Sequence, residues 1–188
     1  MPVQGDNSNS IMLLKAAYFA ADKHRGQTRK DSDGSPYINH PLSAALLIAE
    51  TGEVYDTDIL AAALLHDTLE DTDTTEEELE KQFGSRVLSL VLEVTDDKSL
   101  PKKARKQKQI DHAEHLSKEA VLIKLADKIT NVRDISIHPP AGWSWERRKE
   151  YLDWAEKVIA NCPKANEPLE RLFAESLEQG RKALADSN

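Results

Sequence analysis

Residues 59–71 constrain the fold more than any other stretch; they read Ile-Leu-Ala-Ala-Ala-Leu-Leu-His-Asp-Thr-Leu-Glu-Asp. Residues 59–65 are apolar without interruption, and at about 3.6 residues per turn they cover every side of a helix. A helix that is apolar all round is buried. Directly after it come His66, Asp67, Glu70 and Asp71. At about 100° per residue these fall within roughly 140° of one another, so one continuous helix would present an imidazole and three carboxylates on a single face. Charges in a poorly solvated setting are costly unless paired, and neighbouring carboxylates repel. Two readings follow. Either this is the wet end of a core helix with Glu70 and Asp71 solvated, or a divalent metal ion neutralises the carboxylates and takes the imidazole as a ligand.

The rest of the chain favours an all-α protein. Aromatic residues make up 5% of 188 residues and there are 7 glycines, while long stretches follow a 3.6-residue apolar period. That length suits one domain with a substantial core. The formal net charge of −8 argues against general binding to nucleic acid or anionic membranes and leaves room for a local basic pocket. Cys162 is the sole cysteine, which excludes an intramolecular disulfide framework and a thiolate zinc cluster; it reads as a small buried residue before Pro163. Residues 1–10 lack the basic and apolar regions of a signal peptide, and no apolar run approaches the ~20 residues needed to cross a bilayer. A soluble, cytoplasmic protein is expected, of undefined oligomeric state.

Taken in order, residues 1–10 read as a disordered lead, with Ser10 capping a helix over 11–23 whose apolar face is Leu14, Ala17, Tyr18 and Ala21. The domain proper then spans 11–185. A loop carrying Lys23, Arg25, Arg29 and Lys30 follows, either a solvated surface or an anion site. Asn39 or His40 caps a second helix, with Pro41 suited to its first position and Leu42, Ala45, Leu46 and Ala49 as its apolar face. Thr75 and Glu78 form a capping box for a short helix closed by Gly84, and Ser85 caps the next. Residues 67–80 contain eight acids and no base, whereas Lys98, Lys102, Lys103, Arg105, Lys106 and Lys108 reverse the sign. This basic run is a solvated helix face or a set of substrate contacts. Ser117 caps a heavily apolar helix bearing Asp127, Asn131 and Arg133, with Asp127 and Asn131 one turn apart. Ser144 caps a helix with Arg147, Tyr151 and Trp154; Asn161-Cys162-Pro163 breaks it, and a last helix covers 166–184.

His40, His66, Asp67 and Asp127 together offer two imidazoles and two carboxylates, a donor set suited to Mn²⁺, Fe²⁺ or Zn²⁺ rather than to an all-oxygen Ca²⁺ or Mg²⁺ site. Their order resembles that of the HD-domain metal-dependent phosphohydrolases. More specific are Lys-His-Arg-Gly-Gln-Thr-Arg-Lys-Asp (23–31), Pro-Tyr-Ile-Asn-His-Pro (36–41), Ala-Leu-Leu-His-Asp-Thr-Leu-Glu-Asp-Thr (63–72), Val-Thr-Asp-Asp-Lys-Ser-Leu-Pro-Lys (94–102), Lys-Leu-Ala-Asp-Lys (124–128) and Gly-Trp-Ser (142–144). These resemble the hydrolase domain of RelA/SpoT proteins, and more closely the single-domain small alarmone hydrolases of the metazoan SpoT-homologue type. The likeness covers residues 14–172.

That resemblance implies a compact multi-helix HD-domain fold with a metal site between buried helices. It also implies Mn²⁺-dependent removal of the 3′-diphosphate from guanosine tetra- or pentaphosphate (ppGpp or pppGpp). By the same resemblance His40, His66, Asp67 and Asp127 are metal ligands, Glu70 and Asp71 the catalytic acids, and Arg29 and Lys30 the pair flanking the base. Asn131 is a substrate contact, and Lys102, Arg147 and Tyr151 are phosphate contacts. The synthetase and regulatory regions of the long enzymes are not in the chain, which implies a dedicated hydrolase. Where those enzymes favour threonine, this chain has Asp134. The alternatives are an NADPH 2′-phosphatase or other HD-type nucleotide phosphohydrolase, and a non-catalytic nucleotide-binding helical module.

Overall fold

The computed structural model describes residues 4–186 apart from Ser32 and Ala141. It is all-α as expected: among the described residues the only β-type pairing is an isolated bridge between Thr28 and Pro36. The helices are α1 (Gln4–Lys23), α2 (Asn39–Glu50), α3 (Thr57–Leu65), α4 (Thr68–Asp71), α5 (Glu76–Phe83), α6 (Ser85–Val94), α7 (Lys102–His112), α8 (Lys118–Ile137), α9 (Trp145–Asn161) and α10 (Glu167–Asp186). A 3₁₀ turn, Ala113–His115, follows α7.

Helices α3 and α8 form the centre. All seven residues Ile59, Leu60, Ala61, Ala62, Ala63, Leu64 and Leu65 are buried, as their continuous apolarity requires. Helix α8 packs against α2, α3, α6, α9 and α10, while α1 and α2 lie against α3. One apolar cluster runs from Ala16 to Leu184. Local capping explains where several helices begin. The Asp56 carboxylate accepts from the N–H groups of Asp58 at 3.0 Å and Ile59 at 3.3 Å, opening α3. Thr75 accepts from Glu78 N, Ser117 from Ala120 N and Ser144 from Arg147 N, opening α5, α8 and α9.

Several expectations are corrected. Helix α1 starts at Gln4, so residues 4–10 are helical rather than a disordered lead and Ser10 lies inside the helix; residues 1–3 fall outside the described residues. Once the turn containing Met12, Leu13 and Ala16 is packed, each further residue adds a hydrogen bond at little extra cost. The expected apolar faces of α1 and α2 are also rotated. Leu14 and Tyr18 are 71% and 74% exposed, and Leu42 and Leu46 are exposed too. The buried faces are Ala16, Phe19 and Ala20 in α1, and in α2 His40, Pro41, Ala44 and Ile48 together with Ala45, which was expected there. Both helices pack on α3, and the small alanines on their buried faces permit close helix approach, which outweighs the larger residues on the outer faces. Asn39 opens α2 as its first residue after Ile38, so Pro41 is the third helical residue, where its missing N–H still costs no intrahelical bond. Ser85 is the first residue of α6 and Gly84 its cap. The stretch 59–71 is not one helix, because α3 ends at Leu65 and α4 begins at Thr68.

Candidate metal centre and its cleft

The interruption between α3 and α4 falls on His66 and Asp67. Side chains there bond the backbone of the preceding turn: His66 Nδ1 donates to Ala63 O at 2.7 Å and Thr68 Oγ1 to Leu65 O at 2.6 Å. Asp67 takes φ −96°, ψ −5°, the bridge region common in functional turns. With Nδ1 of His66 committed as a donor, its Nε2 carries a lone pair. His40, at the start of α2, is set in the same way. Thr130 Oγ1 donates to backbone carbonyls of its own helix, the nearer being Asp127 O at 2.8 Å, and therefore accepts from His40 Nδ1 at 3.1 Å. Burial holds the His40 imidazole below its ordinary pKa, which keeps it neutral. Two imidazoles thus offer Nε2 lone pairs, each oriented by a bond to the other ring nitrogen, the arrangement found in metal-ligating histidines.

These lone pairs meet carboxylate oxygens. His66 Nε2 is 3.3 Å from Asp67 Oδ1, and His40 Nε2 is 3.6 Å from Asp67 Oδ2. Asp127 Oδ1 stands 3.3 Å from His40 Nε2 and 3.9 Å from His66 Nε2. His66 Nε2 is fully buried with no hydrogen-bond partner among the described residues. Acceptors facing acceptors around an orphaned nitrogen are relieved by a cation. His40, His66 and Asp67 each place a donor atom within 4.8 Å of the others, a grouping suited to a divalent metal ion. All four expected ligands are brought together.

Glu70 and Asp71 lie one turn on, in α4. Burial, then the charges of Asp96 and Asp67, push the Glu70 carboxyl up to about 7. Asp96 N–H donates to Glu70 Oε2 at 3.2 Å. Lys98 Nζ contacts the Asp71 carboxylate and is 3.9 Å from Glu70 Oε1.

Two contacts to the ligands were not singled out from the sequence. Tyr37 OH donates to Asp67 Oδ2 at 2.6 Å and also reaches Asp71 Oδ2 at 3.3 Å. Lys128, 4% exposed, places Nζ 2.7 Å from Asp127 Oδ2. Burial pulls the Asp127 carboxyl up, but Lys128 beside it, together with the His40 and His66 rings, more than offsets this and holds it well below the usual carboxylate range. The signal for both was present, since each adjoins a candidate ligand within a quoted motif, yet their bonding partners emerge only from the packing.

A pocket of about 290 Å³ surrounds the cluster and is lined by Arg29, Lys30, Glu70, Asp71, Asn131 and Tyr151 among others. It shares residues with two larger clefts. One, of about 530 Å³, is lined by Arg29, Lys30, Asn131, Trp143 and Tyr151. The other, of about 960 Å³, is lined by Lys102, Lys103, Arg105, Lys106, Arg147 and Tyr151. Every expected substrate residue therefore borders the metal pocket or a cleft continuous with it. The loop that delivers Arg29 and Lys30 turns at Gly26, φ +77°, a conformation open to glycine. It is closed by Tyr37 N to Gln27 O at 3.0 Å and Arg29 N to Ser35 O at 2.8 Å. The Arg29 guanidinium bonds Asn131 Oδ1 at 2.7 Å and Asp134 Oδ2 at 2.6 Å, which gives the departure at Asp134 a structural role. The Arg147 guanidinium lies 4.2 Å from the Trp143 ring centroid.

An all-α bundle holding a two-histidine, two-carboxylate cluster at the interruption of a buried helix defines a member of the HD class of metal-site proteins. The family comparisons agree: the HD-domain family matches residues 16–153. The chain is 49% identical over 179 residues to the guanosine-3′,5′-bis(diphosphate) 3′-pyrophosphohydrolase MESH1 of Danio rerio, covering 93% of this chain and 98% of that protein. It is also 49% identical to the Homo sapiens MESH1, over 92% of this chain and 96% of that one. A solved structure described as "a metazoan ortholog of SpoT hydrolyzes ppGpp and plays a role in starvation responses" superposes with a TM-score of 0.87 at 43% identity, covering 95% of this chain and 97% of that chain. The chain belongs to the HD-domain family and, within it, to the MESH1 group of guanosine-3′,5′-bis(diphosphate) 3′-pyrophosphohydrolases. No described helix is long and apolar enough to cross a membrane.

Proposed function

We propose that this protein hydrolyses the 3′-diphosphate of guanosine tetra- or pentaphosphate to GDP or GTP and pyrophosphate, with Mn²⁺ as the resident ion. The observation that carries the reading is the ligand cluster of His40, His66, Asp67 and Asp127 with Glu70 beside it, opening onto clefts lined by cations. The MESH1 relatives support the substrate assignment. Residues 11–185 act as a single hydrolase domain, and the protein works in the cytoplasm.

A divalent ion held there supplies Lewis acidity at a phosphoryl oxygen and makes water a competent nucleophile at neutral pH. Glu70, whose carboxyl is raised by burial and by the charges of Asp96 and Asp67, takes the proton from the attacking water. The water oxygen bonds to the phosphorus next to the ribose, the bond from that phosphorus to the 3′-oxygen breaks, and the 3′-oxygen takes up a proton. Asp71, gripped by Lys98, shares the proton handling with Glu70. The base lies in the cleft beside Arg29 and Lys30, with Asn131 orienting Arg29 and Asp127 together. The 5′-phosphates extend toward Lys102, Arg147 and Tyr151. This explains how a protein of net charge −8 holds a polyanion, since the local field outweighs the total.

The test is turnover of guanosine tetraphosphate and of NADPH side by side with Mn²⁺, with products separated by chromatography. GDP and pyrophosphate at much the higher kcat/KM support the proposal. A preference for NADPH, releasing orthophosphate, overturns the substrate.

A further inference from the structure

Glu70 is held from an unusual direction. Its Oε2 accepts from the backbone N–H of Asp96, in the segment that joins α6 to α7, and not from any group in its own helix. That segment is fastened on two sides. Below, at the end of α6 from which the segment leaves, Lys124, buried in α8, donates to Val94 O at 3.1 Å. Above, α7 reaches down with Gln109, whose Nε2 donates to the Asp96 carboxylate, and with Arg105, whose Nε is 3.7 Å from it. The Asp96 side chain is 14% exposed, so these are not loose surface contacts. Because the Gln109 nitrogen must face the carboxylate, its Oε1 is left buried with no partner among the described residues, in the lining of the metal pocket.

Helix α7 buries none of its own residues. It is held by polar contacts at its far side, Trp154 Nε1 to Lys106 O at 3.0 Å and Asn161 Nδ2 to Ile110 O at 3.1 Å, and by the Asp96 latch on the side facing the metal pocket. The same helix carries Lys102 and Lys106 into the basic cleft.

We propose that Asp96 and Gln109 are positioning residues for Glu70: the Gln109 amide clamps the Asp96 carboxylate, and the clamped segment presents its N–H to the carboxylate that handles the proton. The inference rests on the phosphohydrolase reading above for its kinetic consequence and on geometry alone for its structural one. Neither residue touches the ligand cluster, so metal content stays unchanged when they are altered. With Gln109 removed, the Asp96 N–H drifts from Glu70 and the chemical step slows, while Lys102 and Arg147 still hold substrate.

The test compares Gln109→Ala, Asp96→Asn and Glu70→Gln, alone and with Gln109→Ala added to Glu70→Gln, each loaded with Mn²⁺ and assayed on guanosine tetraphosphate. Gln109→Ala is expected to lower kcat about tenfold with KM within twofold and metal stoichiometry intact, the size of one lost orienting hydrogen bond. Asp96→Asn keeps an acceptor oxygen for Gln109 and is expected to retain kcat within about threefold. Adding Gln109→Ala to Glu70→Gln is expected to cost nothing further, because the two act on one group. A raised KM with unchanged kcat in Gln109→Ala would mean that α7 serves only to carry the lysines, and would overturn the proposal, as would full additivity with Glu70→Gln. A crystal structure of Gln109→Ala decides the matter independently of turnover. Glu70 displaced from Asp96 N–H supports the proposal even if the wild-type protein cleaves neither nucleotide, which would refute the function alone; Glu70 unmoved overturns it.

Discussion

Lys128 provides a direct probe of the electrostatics of the metal centre. Its side chain is 4% exposed, and its ammonium is 2.7 Å from Asp127 Oδ2 and 4.6 Å from the Trp154 ring centroid. In metal-free protein it is the nearest cation to a buried carboxylate that also faces two imidazoles. Lys128→Met preserves the apolar stem and removes the charge, leaving Asp127 uncompensated. Breaking a buried pair in this way costs roughly 3–5 kcal/mol. In a domain of this size each kcal/mol lowers Tm by about 2–4 °C, so a loss of about 3 kcal/mol is a fall of ~6–12 °C. A bound divalent ion supplies the missing positive charge beside Asp127, so the deficit in Tm is expected to shrink by at least half when Mn²⁺ is saturating. Differential scanning calorimetry in chelator and in excess Mn²⁺ measures both numbers. The double variant Lys128→Met with Asp127→Asn, which removes both charges, is expected to recover much of the metal-free loss. A fall of less than ~2 °C in chelator, or a fall of the same size with and without metal, would refute the reasoning, because Asp127 would then not depend on a neighbouring positive charge.

Four further outcomes follow from the same site. Glu70→Gln is expected to keep the metal and lose about 10² to 10⁴ in kcat, and wild-type kcat is expected to rise with pH as Glu70 ionises, a rise that the variant lacks in its pH–rate profile. The stability effect of Glu70 has a defined sign. Its carboxyl is raised in the folded state, so the unfolded chain ionises first, from about 4.5, and the carboxyl becomes increasingly unfavourable to folding as pH rises toward about 7. Metal-free Glu70→Gln is therefore expected to melt higher than wild type at pH 8, with the advantage fading toward pH 5. His66→Ala and Asp127→Ala are each expected to lose metal and activity together, measured by elemental analysis alongside turnover. Arg29→Ala is expected to raise KM for guanosine tetraphosphate about tenfold with a smaller change in kcat, since it removes a group lining the nucleotide cleft and leaves the ligand cluster intact.

The parts of this molecule that were legible in the sequence are those decided locally or by an unpaid charge. Residues 59–65 are buried on every side because nothing polar interrupts them, and Thr75, Ser117 and Ser144 cap where expected because capping depends on three or four adjacent residues. His40, His66, Asp67 and Asp127 stood out as two imidazoles and two carboxylates set in or beside apolar helices, in an order that resembles the HD family, and the structure brings all four together. The faces of α1 and α2 were only partly legible, because Leu14, Tyr18, Leu42 and Leu46 outweigh alanine on any hydropathy pattern, whereas packing buries Ala16, Ala20 and Ala44 beside the expected Ala45. The break at His66 was hidden for a similar reason. A continuous 3.6-residue pattern does not reveal that two side chains bond the preceding turn. Tyr37 and the Asp96 latch involve partners 13 to 30 residues away, and only the fold makes them neighbours.

The most direct test of the central claim is pyrophosphate release from guanosine tetraphosphate, followed while the metal-stripped protein is titrated with Mn²⁺. The account predicts no release in chelator, one pyrophosphate per GDP formed, and a rate proportional to the metal bound up to one ion per chain. Release that persists at the same rate in chelator, or orthophosphate in place of pyrophosphate, would contradict it.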